Sequence, residues 1–171
     1  MIVSGKALRE GRHVQEHKLE EQFQPAGVDL SVQSVWSFEE AGTIDLDNAK
    51  RKLPTTREIP FGSDGMLKLA PGAYKIIFNE RVSIPVDAAA MARSRSSLLR
   101  MGASVQTALW DPGYTGRSQA LLLVSNAHGL VMHKDARVAQ LVFIRMHEPS
   151  GEKYAGQYQH ENLGKKQAGN G

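Results

Sequence analysis

An all-β barrel or sandwich with one or two short helices is the fold class the sequence predicts. Three observations point to it. Short strand-like apolar runs recur along the chain, Gly and Pro punctuate them, and only one or two brief segments suit a helix. There is no internal repeat, heptad pattern or low-complexity block.

The first element is a short helix from Ser4 to Glu10, with Ser4 as N-cap and Gly11 after the last turn. "EHKLEEQFQPAG" is polar and ends in a Pro-Ala-Gly break. "VDLSVQSVWSF" then alternates, with Val28, Leu30, Val32, Trp36 and Phe38 on one face and Asp29, Ser31, Gln33 and Ser37 on the other, as in a half-buried strand. "IDLDNAKRKLPTTREIPFGSDG" reads as loop. "MLKLAPGAYKIIFNERVSIP" reads as two or three strands broken at Pro71-Gly72 and Asn79-Glu80. The Ala-rich "VDAAAMARSRSSLL" suggests a helical turn ending before Gly102. "ASVQTALW", "QALLLVSN" and "RVAQLVFIRM" are further strands, with turns at Pro112-Gly113 and His128-Gly129. Residues 1–160 are expected to form a single domain that includes a C-terminal closing segment, and 161–171 a disordered tail.

The chain has 171 residues, enough for one domain with a real core. Without cysteine, disulfides, thiolate metal sites and thiol nucleophiles are excluded. No apolar run is long enough to span a bilayer and the N-terminus has no signal-peptide core, so a cytoplasmic location without membrane contact is expected. Net charge is +3, but the basic residues are scattered and only 6% of residues are aromatic, so no nucleic-acid partner is expected. The nearest thing to a basic cluster, Arg93, Arg95 and Arg100 in "ARSRSSLLR", suits a compact anion such as a nucleotide phosphate. No Walker loop, GxSxG elbow or HExxH motif occurs, and the six histidines sit in polar or turn-like segments.

Three segments remain that carry chemistry-bearing residues. Asp29 sits on the polar face of a strand in "PAGVDLSV". In "ARSRSSLLRMG" an arginine precedes two serines, a donor fork and two short donors that suit phosphate oxygens. In "ALWDPGYTG" Asp111 sits in a tight turn beside Tyr114. Each alone is weak, because a strand Asp, an Arg-Ser pair and a turn Asp all have ordinary structural uses.

Their order carries more weight. "PAGVDL", "RSRSSLLRMG", "LWDPGYTG", "RVAQLVF" and "KYAGQ" resemble, in sequence order, the five motifs of the superfamily of trimeric dUTPases and dCTP deaminases. "MIVSGKAL" is similar to the start of its deaminase branch, archaeal members included. The resemblance implies a distorted jelly-roll or β-barrel of the dUTPase-like (β-clip) type, and a homotrimer with sites shared between subunits. It also implies that Asp111 positions a hydrolytic water and that Asp29 organises the site, with or without a metal-bound water. Arg95, Ser96, Ser97 and Arg100 would meet the phosphates. The backbone of Gln106, Thr107 and Ala108 would read uracil, and Tyr114 would pack on the deoxyribose. Gln140, Lys153 and Gln157 complete the substrate-binding set. Magnesium, the implied cofactor, would be held mainly by the triphosphate and waters, with Asp29 as the one protein candidate.

The branch turns on one position. Cytosine deamination in this family uses a glutamate ten residues after the motif-three Asp, and the residue here is Leu121. No Asp or Glu lies between Asp111 and Asp135, and Gln119, two residues back, cannot ionise. A further arginine of that branch, two residues before the Asp, is replaced by Leu109. The tail "KYAGQYQ" and Arg100 are nonetheless deaminase-like, and the glycine-rich tail of typical dUTPases is missing. The expected activity is therefore dUTP diphosphatase, hydrolysing dUTP to dUMP and pyrophosphate. Two alternatives stay open: a dCTP deaminase, alone or bifunctional, and an inert nucleotide-binding β-module.

Overall fold

The structure is a computed structural model and describes residues 1–164. In chain order the elements are α1 (Gly5–Glu10), β1 (Val14–Gln15), β2 (Phe23–Gln24), β3 (Gly27–Phe38), β4 (Thr56–Ile59), β5 (Met66–Leu69), β6 (Gly72–Phe78) and β7 (Arg81–Ser83). They continue with β8 (Ala88–Ser94), α2 (Ser96–Arg100), β9 (Ala103–Gln106), β10 (Thr115–Gly116), β11 (Gln119–Val124), β12 (Leu130–His133) and β13 (Arg137–Arg145). A 3₁₀ turn at Glu20–Gln22 precedes β2. Among the described residues no helix is long and apolar enough to cross a membrane.

The main sheet runs β8-β13-β3-β6-β11-β9, with β2 and β4 also on β3. It bends round until its ends meet. Ser94 Oγ both accepts from the Val105 N–H and donates to the Val105 carbonyl, and Ala90 and Trp110 exchange two backbone hydrogen bonds of 2.9 and 3.0 Å. The sheet is thus a nearly closed barrel, which removes most of its exposed edge. Phe78, Phe143, Leu30, Ile76, Leu122 and Leu141 fill the interior. Pairs β5–β12 and β1–β7–β10 flank it.

Helix α1 forms as expected, with Ser4 Oγ accepting from the Ala7 N–H. Three readings need correction. In β3, Val28, Leu30 and Val32 face the core, but a bulge between Val32 and Ser34 shifts the phase, so Val35 is buried and Phe38 is 40% exposed. Its polar face is not open to solvent either, since Asp29 and Ser31 are buried as well. The Ala-rich 88–94 stretch is strand β8 rather than helix. Small side chains there let β8 lie between β13 and the Trp110 bridge, and tertiary pairing overrides alanine's helix preference. Only Ser96–Arg100 is helical. The 44–65 region, read as loop, contributes β4 to the sheet.

The start of β3 depends on Gly27, at φ +148°, where a Cβ would come within 2.2 Å of the Leu141 carbonyl oxygen. That close approach sets Asp29 directly opposite Gln140 on β13.

Candidate active site

The Asp111 turn is built by its own sequence. Pro112 and Gly113, the latter at φ +85°, occupy the centre of a type II turn closed by the Tyr114 N–H donating to the Asp111 carbonyl at 3.1 Å. The turn is tied to the barrel by Gly113 N–H to the Ile84 carbonyl and Ile84 N–H to the Tyr114 carbonyl. Backbone atoms do the structural work, so the exposed Asp111 carboxylate has no hydrogen-bond partner among the described residues.

Behind the turn the hairpin opens. Strands β9 and β11 pair as far as Gln106↔Leu121; beyond that point Gln119 and Ala120 pair only with β6. Among the described residues the backbone N–H and C=O groups of Thr107, Ala108 and Leu109 take part in no hydrogen bond. Free donors and acceptors on three successive residues require an outside partner or water. Three concavities, of about 90, 310 and 380 Å³, meet here, and Ala108 lines all three.

Leu121 faces the 310 Å³ cavity, flanked across the sheet by Gln106 on one side and Lys75 on the other. Lys75 Nζ sits 4.7 Å from the Trp36 ring centroid and donates to Thr56 Oγ1. Burial pulls the Lys75 ammonium below its ordinary value. Around position 121, then, the ladder neighbours are an amide and a cation, with no carboxylate.

The smallest concavity holds Asp111, Tyr114 and Gln119, and its outer wall is the C-terminal segment, through Tyr154, Tyr158 and Glu161. That segment is fastened to the hairpin by Tyr154 N–H to the Pro112 carbonyl, His160 N–H to the Thr115 carbonyl and Arg117 N–H to the Glu161 carbonyl. Glu161 and Asn162, the first residues of the expected tail, are bonded to the hairpin, and residues 165–171 of that tail lie outside the described ones. Tyr114 is buried, edge-on to Tyr154, and its hydroxyl donates to Glu161 Oε1 at 2.9 Å and meets Ser118 Oγ at 3.0 Å. Trp110 Nε1 donates to the same Ser118. Burial drives the Glu161 carboxyl up to about 7, with the Tyr114 hydrogen bond opposing.

That shift has a sign. The docked segment binds the Glu161 proton more tightly than a free segment, whose carboxyl titrates near 4.5. Docking is therefore tightest below about pH 4.5, weakens as pH rises towards 7 and changes little above that. Hydrogen exchange at Arg117 and His160 should report this loss of protection, and Glu161→Gln should flatten it. Protection independent of pH in the unaltered protein would contradict the account.

The second cluster lies at the other end of β8. Arg95, just before α2, places Nε 3.1 Å from Asp29 Oδ2, and Arg137 at the start of β13 places a terminal nitrogen 3.4 Å from the same oxygen. Asp29 is buried while the two guanidinium side chains keep about 30% exposure. Burial raises the Asp29 carboxyl above its ordinary value, and Arg95 and then Arg137 pull it back. Gln140 stands between Asp29 and Arg93 in a cross-strand row. Ser96, Ser97 and Arg100 are exposed beside it.

A buried scaffold supports Asp29. Gln22 Nε2 donates both to the Asp29 carbonyl and to Glu80 Oε1 at 2.7 Å, and Ser31 donates to Glu80 through its N–H and hydroxyl. Burial raises the fully buried Glu80 carboxyl, and the Ser31 and Gln22 hydrogen bonds resist. Arg137, Glu80, Gln22 and Glu161 were not singled out from the sequence. Arg137 has a signal, three residues before Gln140 in the same motif; Glu80 and Glu161 have none, since their partners are remote in the chain.

Within one chain the two clusters stay apart. Trp110, next to Asp111, bridges to Ala90, and Arg95 lies five strand residues further on, roughly 16 Å at about 3.3 Å per residue. Lys153 stays with the Asp111 hairpin and Gln157 meets Arg51, so neither joins Arg95. Lys153 packs on Gly113, and Gln157 Oε1 accepts from Arg51.

Among the described residues no three His, Asp or Glu side chains gather in a way that would hold a metal ion. Asp29, the one protein candidate, has the oxygen facing the cluster occupied by two cations.

A family model described as dCTP deaminase-like matches residues 4–146. The probable deoxyuridine 5'-triphosphate nucleotidohydrolase of Methanosarcina mazei is 46% identical over 84% of this chain and 84% of its own. The deoxyuridine 5'-triphosphate nucleotidohydrolase of Methanocaldococcus jannaschii is 43% identical over 77% of this chain and 84% of its own. Among solved structures, 2'-deoxycytidine 5'-triphosphate deaminase from Agrobacterium tumefaciens superposes with TM-score 0.65 at 21% identity, over 83% of this chain and about half (47%) of that longer one. The EIAV dUTPase superposes at 0.51 and 16%, over 84% of this chain and 96% of its own, and both likenesses speak to fold alone. A family model spanning most of the chain, joined by relatives at this identity, makes the protein a member of the dCTP deaminase-like family.

Proposed function

We propose that the protein is a dUTP diphosphatase, hydrolysing dUTP to dUMP and pyrophosphate in the cytoplasm. One observation carries the reading. The hairpin opens beside Asp111 onto unengaged backbone donors and acceptors at 107–109, while the position where a deaminase needs its acid is Leu121. A planar base with alternating donors and acceptors on its edge matches such a strip, and nothing at 121 can move protons at its ring.

In this reading uracil enters the open hairpin and Tyr114 backs the sugar. Asp111, with no side-chain partner among the described residues and fixed by its turn, orients and deprotonates the water that attacks the α-phosphorus. Aspartate is a weak base, so position supplies much of the acceleration. Arg95, Ser96, Ser97, Arg100 and Gln140 receive the phosphates, and Asp29 acts as the brace that aims Arg95. Mg²⁺ would be held mainly by the triphosphate and waters, with Asp29 as the one protein candidate. When bound, it supplies neutralisation of charge on the phosphates.

The roughly 16 Å between the clusters supports a shared site, with Asp111 from one subunit and Arg95 from another in a homotrimer. Mixing tests both substrate and sharing. Asp111→Asn and Arg95→Ala proteins should each release little pyrophosphate from dUTP. Unfolded together and refolded as mixed trimers, they should regain a substantial fraction, because some sites then carry two intact halves. No recovery, with trimers formed, would contradict the sharing, and no dUTP turnover by the unaltered protein would contradict the function.

Glu161 supports a second reading. It is the other carboxylate in the Asp111 cleft, and a deaminase could use it as its acid. In that case Glu161→Gln would abolish a dCTP-to-dUTP conversion that the unaltered protein performs.

A further inference from the structure

We propose that Arg137 is a second phosphate-binding residue, paired with Arg95 as a double guanidinium clamp on the triphosphate and aimed by the carboxylate they share. This rests on the nucleotide reading above and adds a residue to it.

The geometry is that of a charge centre with cationic surplus. One buried carboxylate faces two guanidinium groups, 3.1 and 3.4 Å away. One arginine would neutralise it, so one positive charge is left over. Each guanidinium carries five N–H donors. Arg95 spends Nε on Asp29 and one donor of a terminal nitrogen on the Arg137 carbonyl. Arg137 directs one terminal nitrogen to Asp29 and to the Glu21 carbonyl. The remaining donors of both have no partner among the described residues, on side chains about 30% exposed. Planar forks with free N–H groups match phosphate oxygens in a two-pronged way that lysine cannot.

The chain also aims Arg137. The β13–β3 ladder shifts register between Arg137 and Ala139, a bulge that turns this side chain beside Asp29. Behind Asp29, the Gln22–Glu80–Ser31 hydrogen bonds fix the strand that carries it. The result is a rigid mount with two mobile-ended cations at its rim, three residues along β13 from Gln140.

Titration calorimetry with inorganic tripolyphosphate, an anion without base or sugar, tests this alongside dUTP kinetics. Arg137→Ala should weaken tripolyphosphate binding by about tenfold or more and lower the salt dependence of the affinity. It should raise KM for dUTP to a similar degree, with kcat within about threefold. Arg137→Lys, which keeps the charge and guards against a folding failure, should recover only part of the loss. If Arg137 merely neutralises Asp29, then Arg137→Lys, which keeps that charge, would bind tripolyphosphate as the unaltered protein does, and the proposal is overturned. It is also overturned if Arg137→Ala binds tripolyphosphate as the unaltered protein does, or if the unaltered protein binds none. Tripolyphosphate binding that depends on Arg137, in a protein that does not turn over dUTP, would sink the dUTPase reading and leave this one standing.

Discussion

Asp111→Asn is expected to lower kcat for dUTP by about a thousandfold, within the range a positioned general base contributes, while KM stays within about threefold. The contrast follows from how the turn is made. Asp111 closes it through its carbonyl, Pro112 and Gly113 set its shape, and the carboxylate is bonded to nothing among the described residues. Asparagine keeps the size but is neutral and cannot take a proton. Thermal stability should therefore be unchanged, and a non-hydrolysable dUTP analogue should bind as before. A variant that kept more than about a tenth of the activity would remove Asp111 from the chemistry. One that lost stability would instead mean that the side chain serves the turn.

Gly27→Ala has the largest expected effect on the fold. A Cβ at this residue would stand 2.2 Å from the Leu141 carbonyl oxygen, and φ there is +148°, a value L-residues rarely adopt. Because the obstacle is backbone, β3 has to move off β13 rather than a side chain swinging away. Strain of this kind costs about 1–3 kcal/mol before any loss of packing. An overall loss of about 3 kcal/mol would lower Tm by roughly 6–12 °C for a domain of this size. The displaced residues include the Asp29↔Gln140 pair, so turnover at temperatures where the variant is folded should fall as well. A Tm within about 2 °C of the unaltered protein would show that the strands separate easily there, and that the register is set elsewhere.

Much of this was legible in the sequence, and the reasons differ by element. Helix α1 was readable because its cap is local, with Ser4 bonding Ala7 three residues on. The Asp111 turn was readable because Pro and Gly specify it within four residues. Strand β8 was misread because alanine's helical preference is weak, and what decides the conformation is pairing with β13, some fifty residues away. The phase of β3 was lost after Val32 because a bulge leaves no trace in an alternation pattern.

The same divide holds at the site. Asp29 was visible as an acid on an apolar strand, but the two arginines that hold it come from residues 95 and 137. Glu80 looked like a turn residue after Asn79, whereas it is buried under Gln22 and Ser31. Glu161 was assigned to a tail, since nothing nearby in sequence shows that Tyr114 will meet it. Spacing reveals what neighbours in the chain do for one another; partners supplied by closure of the barrel it does not reveal.

With Asp111 at the phosphate and Leu121 at the ring, the protein should cleave a pyrimidine triphosphate and leave the pyrimidine unaltered. Pyrophosphate release and base identity, followed side by side for dUTP and dCTP with Mg²⁺, address this directly. dUMP and pyrophosphate are expected from dUTP, and no uracil-containing product from dCTP. Appreciable dUTP or dUMP appearing from dCTP would contradict this, and loss of that product in Glu161→Gln would identify the acid responsible.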